Sequence, residues 1–561
     1  MQLSSTTGRI RVQFIAGVLI AAPVAVWLWA ISRYAADVVF NDDYALLVFI
    51  ARWHNPATPW ADRLTDLVAL HNTHRIIYDR LISLGIYYLT GQLNFKVMIW
   101  LGNLALAGIG WQLWRGFRQL GLPVWYFAPI PFWLFSLQSH ENMFWSMAAL
   151  QNFTVVWFVQ EALHQLHRRV PIIWPLLLSI AAALTSGNGI LAFLIGGLLL
   201  VNQPRRGKVG WVWAAGTLLA LVLLLVVSSV AHERTPILGW IPNLFLALGS
   251  AFTNQATTTL PMAGGALLTA ILAVALLSWI TGLGVIGKRL RRVAIAPEWL
   301  AFGVFMVATA LLLAMHRLPD ELLRDRYKLY AHLMLGVVYL LALIVVSPRL
   351  KLGWAISVTL LAMLMNVGAF HACLPRIVAG FQQRQVDAFN FRTNATTLAI
   401  PYLRPYTDSL LTRVQQQGIY SFPTTLKPPK FWSVTPTTTD SLAISSYQDD
   451  FVHNSLLGEH PCYLTIDNQT IERHLSDGTD DGVYVAADDT TGHTYLFPAS
   501  PTKGSIRDFA TGKGPFKPGF NVSVLSSRLK PGTYQVRIVR VAEGTYHFLG
   551  AGQPLDIRSI Y

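Results

Sequence analysis

The first apolar stretch spans 12–34, and its run VQFIAGVLIAAPVAVWLWAIS at 12–32 contains no ionisable side chain. A run of that length matches the roughly 20 apolar residues one helix needs to cross a bilayer core, where irregular backbone cannot face lipid. Similar apolar stretches, some short or interrupted by Pro and Gly, recur at 95–114, 122–139, 143–163, 171–185, 189–202, 211–231, 264–286, 298–316, 331–347 and 353–373. The sequence therefore predicts a mainly α polytopic membrane protein with about eleven transmembrane helices. Its low charge agrees: 13% of residues are charged, against roughly 25% in soluble domains. Two cysteines in 561 residues exclude a disulfide-stapled scaffold and a thiolate metal cluster.

The net charge of +14 would fit a nucleic-acid partner, but its placement argues for topology instead. The basic clusters are Arg9 with Arg11; Arg115 with Arg118; Arg168 with Arg169; Arg205, Arg206 and Lys208; Lys288, Arg289, Arg291 and Arg292; and Arg349 with Lys351. With eleven spans all six fall on one face, which the positive-inside rule makes cytoplasmic. The segment 75–91 would reverse the later clusters if counted as a span, so it reads as an interfacial or partly inserted helix. The N-terminus resembles a signal-peptide n-region without a clear cleavage site, hence a retained signal anchor. No nucleic-acid partner follows.

An odd span count puts everything after Cys373 outside a cytoplasmic (inner) membrane, on the periplasmic or extracellular side. The expected organisation is a transmembrane domain over 1–373 with an external loop at 35–94, a helical linker region over 374–429, and an external β-rich domain over 430–561. The last is a soluble α+β or β-sandwich domain. Its strands are read from CYLTIDNQ, GVYVAAD, HTYLFPA, FNVSVLSS, TYQVRIVRV and TYHFLGA, separated by Gly, Pro and Asp turns. Cys373 and Cys462 would both lie in an oxidising compartment, which permits a bridge without showing one.

Polar residues that are expensive near a membrane gather on the external side, where ionisable groups are functional candidates. Asn41-Asp42-Asp43 follows the first span; an N-cap for the next helix is the plain structural alternative to catalysis. His71 and His74 in HNTHR are too few for a metal site, and His74 with Arg75 suits an anion better, because Arg forks onto phosphate oxygens. His140 and Glu141 lie in SHENMFW, where Glu141 either serves a substrate or holds a helix end. Asn188 lies in the turn SGNG. Arg326 and Lys328 either bind phosphate or pair with Asp320, Glu321 or Asp325. No cofactor is implied, and a divalent metal ion stays open.

An acidic pair just after the first span, an external loop with amphipathic helices, many further spans and an external C-terminal domain together resemble the GT-C superfamily of glycosyltransferases. The residues carrying the resemblance are Asn41-Asp42-Asp43-Tyr44, which match in position the acidic pair of that loop; HNTHRIIYDRL; and DRYKLY, which is similar to the Arg-Tyr element of bacterial members with a soluble tail. Asp43 departs from the protein mannosyltransferases, where Glu is usual. The resemblance implies a hexosyl- or pentosyltransferase that takes a polyprenyl-phosphate-linked sugar donor and a glycan or lipid acceptor of the cell envelope, among membrane lipids, with inversion. It implies Asp42 as base and Asp43 as its partner. It places His74, Arg75 and Arg326 on the phosphate, with His71, His140, Glu141, Asn188 and Lys328 as further substrate contacts. Competing classes are a transporter or flippase for a lipid-linked glycan, an O-antigen ligase or polymerase-like enzyme, and a binding protein whose β-domain holds a glycan. Against the first, the halves show no inverted repeat; against the second, there is no long central external loop.

Overall fold

The computed structural model describes residues 6–71, 74–201, 207–230, 236–253, 257–398, 404–427, 442–448, 462–473, 482–525, 529–542 and 545–557. The chain is mainly helical, with an antiparallel β-sheet region at its C-terminal end. It forms two compact units. Met1–Ile31, Arg52–Gly85 and Val97–Phe370 make up the first; Ser32–Ala51, Ile86–Lys96 and His371–Tyr561 make up the second.

Among the described residues six helices are long and apolar enough to cross a membrane: Gln13–Tyr34, Phe95–Arg118, Thr259–Thr281, Ala296–His316, Asp325–Val345 and Pro348–Asn394. The expected count of eleven is not reached by this criterion, for local reasons. Segment 122–139 contains Pro123, Pro129 and Pro131, and forms a 3₁₀ turn at Val124–Phe127 and a six-residue helix at Pro129–Leu134. Proline removes a helical donor and crowds the preceding turn. Segment 143–163 is interrupted at Trp145, whose φ and ψ of −114° and 119° are extended, and by a π-helical stretch at Ala149–Phe153. Segments 171–185 and 189–202 yield helices of 13 and 11 residues, Ile173–Thr185 and Leu191–Val201. Helix Lys208–Val230 has the length, but the side chains of its last turns lie outside the described residues, as do those of Arg9, Arg11 and Lys208 and the whole of Arg205 and Arg206. Segment 75–91 forms the 14-residue helix Ile77–Thr90.

Polar bonds and small residues hold the helical unit together, as expected where apolar surfaces alone give helices little reason to associate. Asn103 is fully buried. Its Oδ1 accepts from Trp27 Nε1 at 3.2 Å, and its Nδ2 donates to the Met143 carbonyl at 3.0 Å. Helices Ile237–Leu248 and Thr259–Thr281 meet backbone to backbone. A Cβ at Gly265 would sit 1.8 Å from the Phe245 carbonyl oxygen, so only glycine fits there.

Among the described residues of the second unit, eight strands form two antiparallel sheets. The strands are β3 Ala443–Gln448, β4 Cys462–Asn468, β5 Gly482–Asp489, β6 Thr494–Pro498, β7 Ser500–Lys503, β8 Phe516–Leu525, β9 Gly532–Ala542 and β10 Thr545–Ile557; β1 and β2 are a two-residue pair in the first unit, Leu70–His71 and His74–Arg75. The sheet orders are β10-β9-β5-β6 and β3-β4-β8-β7. Alternation along each strand assigns the faces. Val483, Val485 and Ala487 join Ile466, Val522, Val536 and Ile538 in a core shared by both sheets, whereas Tyr484 and Ala486 turn outward onto Val386 and Phe389 of the long helix Pro348–Asn394. That helix also shields an edge. Asn390 exchanges two bonds with Leu496 of the edge strand β6, at 2.8 and 2.9 Å, and Asn394, one turn on, donates to the Thr494 carbonyl at 2.8 Å. Unpaired strand edges invite wrong partners, and here two side-chain amides act as a substitute strand. Cys373 is buried; the side chain of Cys462 lies outside the described residues.

Candidate functional site

The acidic motif sits at a tight turn in the second unit. Asn41 has a φ of +48°, a left-handed conformation that Asn tolerates better than most residues. The chain then enters helix Asp43–His54. Asp43 is 1% exposed, and its Oδ2 accepts the Phe40 N–H at 3.3 Å. The Asp43 N–H in turn reaches the Phe40 carbonyl at 3.1 Å, so Asp43 closes the turn that leads into the helix and one carboxylate of the pair has a structural task. Asp42 is only partly buried. The two neighbours therefore differ: Asp43 faces inward, and Asp42 retains access.

Around them lies a set of buried and partly buried polar groups. Arg384 is 7% exposed, with its guanidinium carbon 4.7 Å from the centre of the Phe40 ring. It interacts electrostatically with Asp43 and Asp387, and its Nε meets no acceptor among the described residues. Asp387 accepts the Leu398 N–H at 3.3 Å. Asp408 accepts from the Thr397 N–H and hydroxyl and the Thr396 hydroxyl, each at 3.1 Å. Burial pushes the Tyr44 phenol far up, and Asp387, Asp408 and Asp43 add to the shift, so Tyr44 stays a neutral phenol among these carboxylates. Asp37 Oδ1 accepts the Phe95 N–H at 2.7 Å, at the start of a helix. Burial nevertheless raises its carboxyl to about 6, against the opposing pull of the Phe95 and Lys96 N–H groups.

The first unit holds a second cluster. Lys328 Nζ lies 2.7 Å from Asp325 Oδ1, and both side chains are nearly inaccessible. His140 Nδ1 is 3.5 Å from Asp325 Oδ2 and 3.2 Å from the Leu137 carbonyl. Glu141 accepts the Arg326 N–H; burial and then Asp325 raise its carboxyl, while Arg326 and Arg324 oppose the rise. Asn142 donates to the Arg326 carbonyl at 2.7 Å and accepts from Asn152 at 2.8 Å. The Arg326 guanidinium lies 5.1 Å from the centre of the Tyr327 ring, and its Nε meets no acceptor among the described residues. Lys328 is thus committed to Asp325, while Arg326 keeps donor capacity. Asn188 bridges Tyr330 and Thr309, at 3.1 and 3.4 Å.

His71 is half-buried and pairs in register with His74 through the β1–β2 backbone, and Arg75 is exposed with its guanidinium on the Val68 carbonyl. The His74 side chain lies outside the described residues. Among those residues, no three His, Cys, Asp or Glu side chains are arranged to hold a metal ion.

Sequence reasoning singled out the acidic pair and missed its surroundings: Arg384, Asp387 and Asp408. A signal was present, since FQQRQVDAF continues from the last apolar stretch and places Arg384 and Asp387 three residues apart, on one helical face. Comparison with protein-family profiles, with curated proteins and with solved structures gives no match.

Proposed function

We propose that this chain is a GT-C-like membrane glycosyltransferase, moving a sugar from a polyprenyl-phosphate donor to a glycan or lipid acceptor outside the cytoplasm. One observation carries the reading. Directly after the first candidate span stand two adjacent carboxylates in unlike environments, Asp43 buried beside Arg384 and Asp42 accessible. A base must both reach its proton and stay ionised, and of the two only Asp42 is exposed enough to meet an acceptor.

In this reading the acceptor hydroxyl gives its proton to Asp42 as its oxygen attacks the anomeric carbon. The bond from that carbon to the phosphate oxygen breaks, the configuration inverts, and polyprenyl phosphate leaves. Cations stabilise the charge that develops on the departing phosphate; the GT-C resemblance assigns this to His74, Arg75 and Arg326, with His71 as a further substrate contact. His140, Glu141, Asn188 and Lys328 are read as shaping the substrate environment. The chain crosses the cytoplasmic membrane eleven times in this scheme, some crossings being short or broken helices, and the β-domain lies on the periplasmic or extracellular side.

The test is transfer from a radiolabelled polyprenyl-phosphate sugar by purified protein in lipid. Asp42→Asn should lower the rate by about 10²–10⁴, the scale of general-base catalysis, with the fold intact. Asp43→Asn should cost less catalytically, and Arg326→Ala should act on donor use. Full transfer by folded Asp42→Asn protein removes the assignment, because Asn caps a helix as well as Asp does.

A further inference from the structure

The outer face of sheet β10-β9-β5-β6 does not end where the long helix stops covering it. Asp488 lies two residues beyond Ala486 on β5, and Gln535 and Arg537 precede Val539 on β9; by strand alternation these polar residues share the outward face with the covered apolar ones. They line an open recess of about 410 Å³ together with Gly492 and Gly552. That volume falls within the roughly 300–1,000 Å³ of small-ligand sites. Two features of the backbone make it. Strand β10 bulges between Leu549 and Gln553, and Gly492 closes the turn between β5 and β6 with a φ of +89°.

The lining chemistry is specific. Arg537 donates to Asp488 Oδ2 through Nε, at 3.1 Å, and through Nη2. Asp488 Oδ1 accepts the Thr494 hydroxyl at 2.5 Å, and the guanidinium lies 3.8 Å from the centre of the Phe548 ring. Both charged groups are therefore fixed in orientation, yet their side chains keep 29% and 21% exposure. The Gln535 amide is exposed and has no hydrogen-bond partner among the described residues. The recess thus offers planar donors and acceptors side by side with no net charge. A phosphate or carboxylate would meet Asp488, and a cation would meet Arg537. Adjacent hydroxyls, each both donor and acceptor, match all three groups.

We propose that this recess binds a neutral saccharide. The site is separate from the acidic motif, and the inference does not depend on the transferase reading. The test uses the full chain in lipid nanodiscs free of glycosidic detergent, titrated with cellotetraose, xylotetraose, mannotetraose, arabinotetraose and, as the anionic control, tetragalacturonate. Binding is read by calorimetry and by saturation transfer to the sugar protons. Gly552→Leu fills the recess from a position whose backbone accepts a side chain; a Cβ there would already meet Gln535 Oε1 at 3.2 Å. Gln535→Ala removes an exposed amide and serves as the second variant should Gly552→Leu fail to fold. At least one neutral sugar should bind, weakened tenfold or more by Gly552→Leu and about threefold or more by Gln535→Ala. Binding of none of the four, tighter binding of tetragalacturonate, or binding unchanged in the folded variants would overturn the proposal.

Discussion

Lys328→Met is the substitution that best separates a structural lysine from a substrate-binding one. Lys328 and Asp325 meet at 2.7 Å, with side-chain exposures of 2% and 5%. Removing one member of a buried ion pair leaves the other charge without compensation, at a cost of about 3–5 kcal/mol. Met keeps most of the lysine stem's volume, so little of that loss would come from a cavity. His140 Nδ1, 3.5 Å from Asp325, can recover only part of it. Replacing both charges, as Asp325→Asn with Lys328→Met, removes the stranded carboxylate as well, and such neutral replacements are often close to silent. At roughly 2 °C per kcal/mol, the low end for large domains, the single variant should melt about 6–10 °C below the parent and the double variant within a few degrees of it.

The assay is the melting temperature of the monodisperse species in nanodiscs for parent, both singles and the double, run as a double-mutant cycle. Transfer activity on the same samples then divides the two roles. A double variant that is stable and active makes the lysine structural, whereas one that is stable and inactive gives it a substrate. A Lys328→Met protein as stable as the parent, or a double variant no better than that single, would refute the reasoning from burial.

Asp37→Asn should change the pH profile of stability. Its folded value is raised to about 6 from an ordinary 3.8, so the folded state binds more protons between those values. Its contribution is present below about pH 4 and lost as pH rises through 6. The Asn variant should thus be at least as stable as the parent at pH 7.5 and less favoured at pH 4, and a variant that melts lower at pH 7.5 counts against this. Gly265→Ala should lose folded yield, because its Cβ would lie 1.8 Å from backbone, whereas Gly85→Ala, with nothing within 4 Å, should be tolerated; equal behaviour on size-exclusion chromatography would contradict the packing argument. Asn390→Leu strands the N–H and carbonyl of Leu496, at about 1–3 kcal/mol for each buried group, and limited proteolysis should cut near β6 sooner than in the parent; unchanged cleavage would disprove the edge-shielding role.

What was legible in the sequence follows how local each signal is. All six expected strand segments became strands, because alternation and turn residues are local. Within the β-domain, β3 with AISSYQ and β7 with SPTK were left unread; both lack an apolar alternation and sit at sheet edges. Membrane-like helices were recognisable from composition, but their lengths were not: hydropathy does not register Pro129, Pro131 or the extended Trp145, which break two apolar stretches. The span expected over 353–373 and the start of the helical region expected after it are one continuous helix, Pro348–Asn394, whose polar second half is ordered by Asn390 and Asn394 bonding strands about a hundred residues away. The same distance hid the surroundings of the acidic pair. Asp42 and Asp43 stood out against an apolar background, whereas Arg384, Asp387 and Asp408 lie among ordinary polar residues and acquire meaning only when folding brings them together. Burial also separates the two carboxylates: the inner one, Asp43, holds the Phe40 N–H and interacts with Arg384, whereas Asp42 is only partly buried.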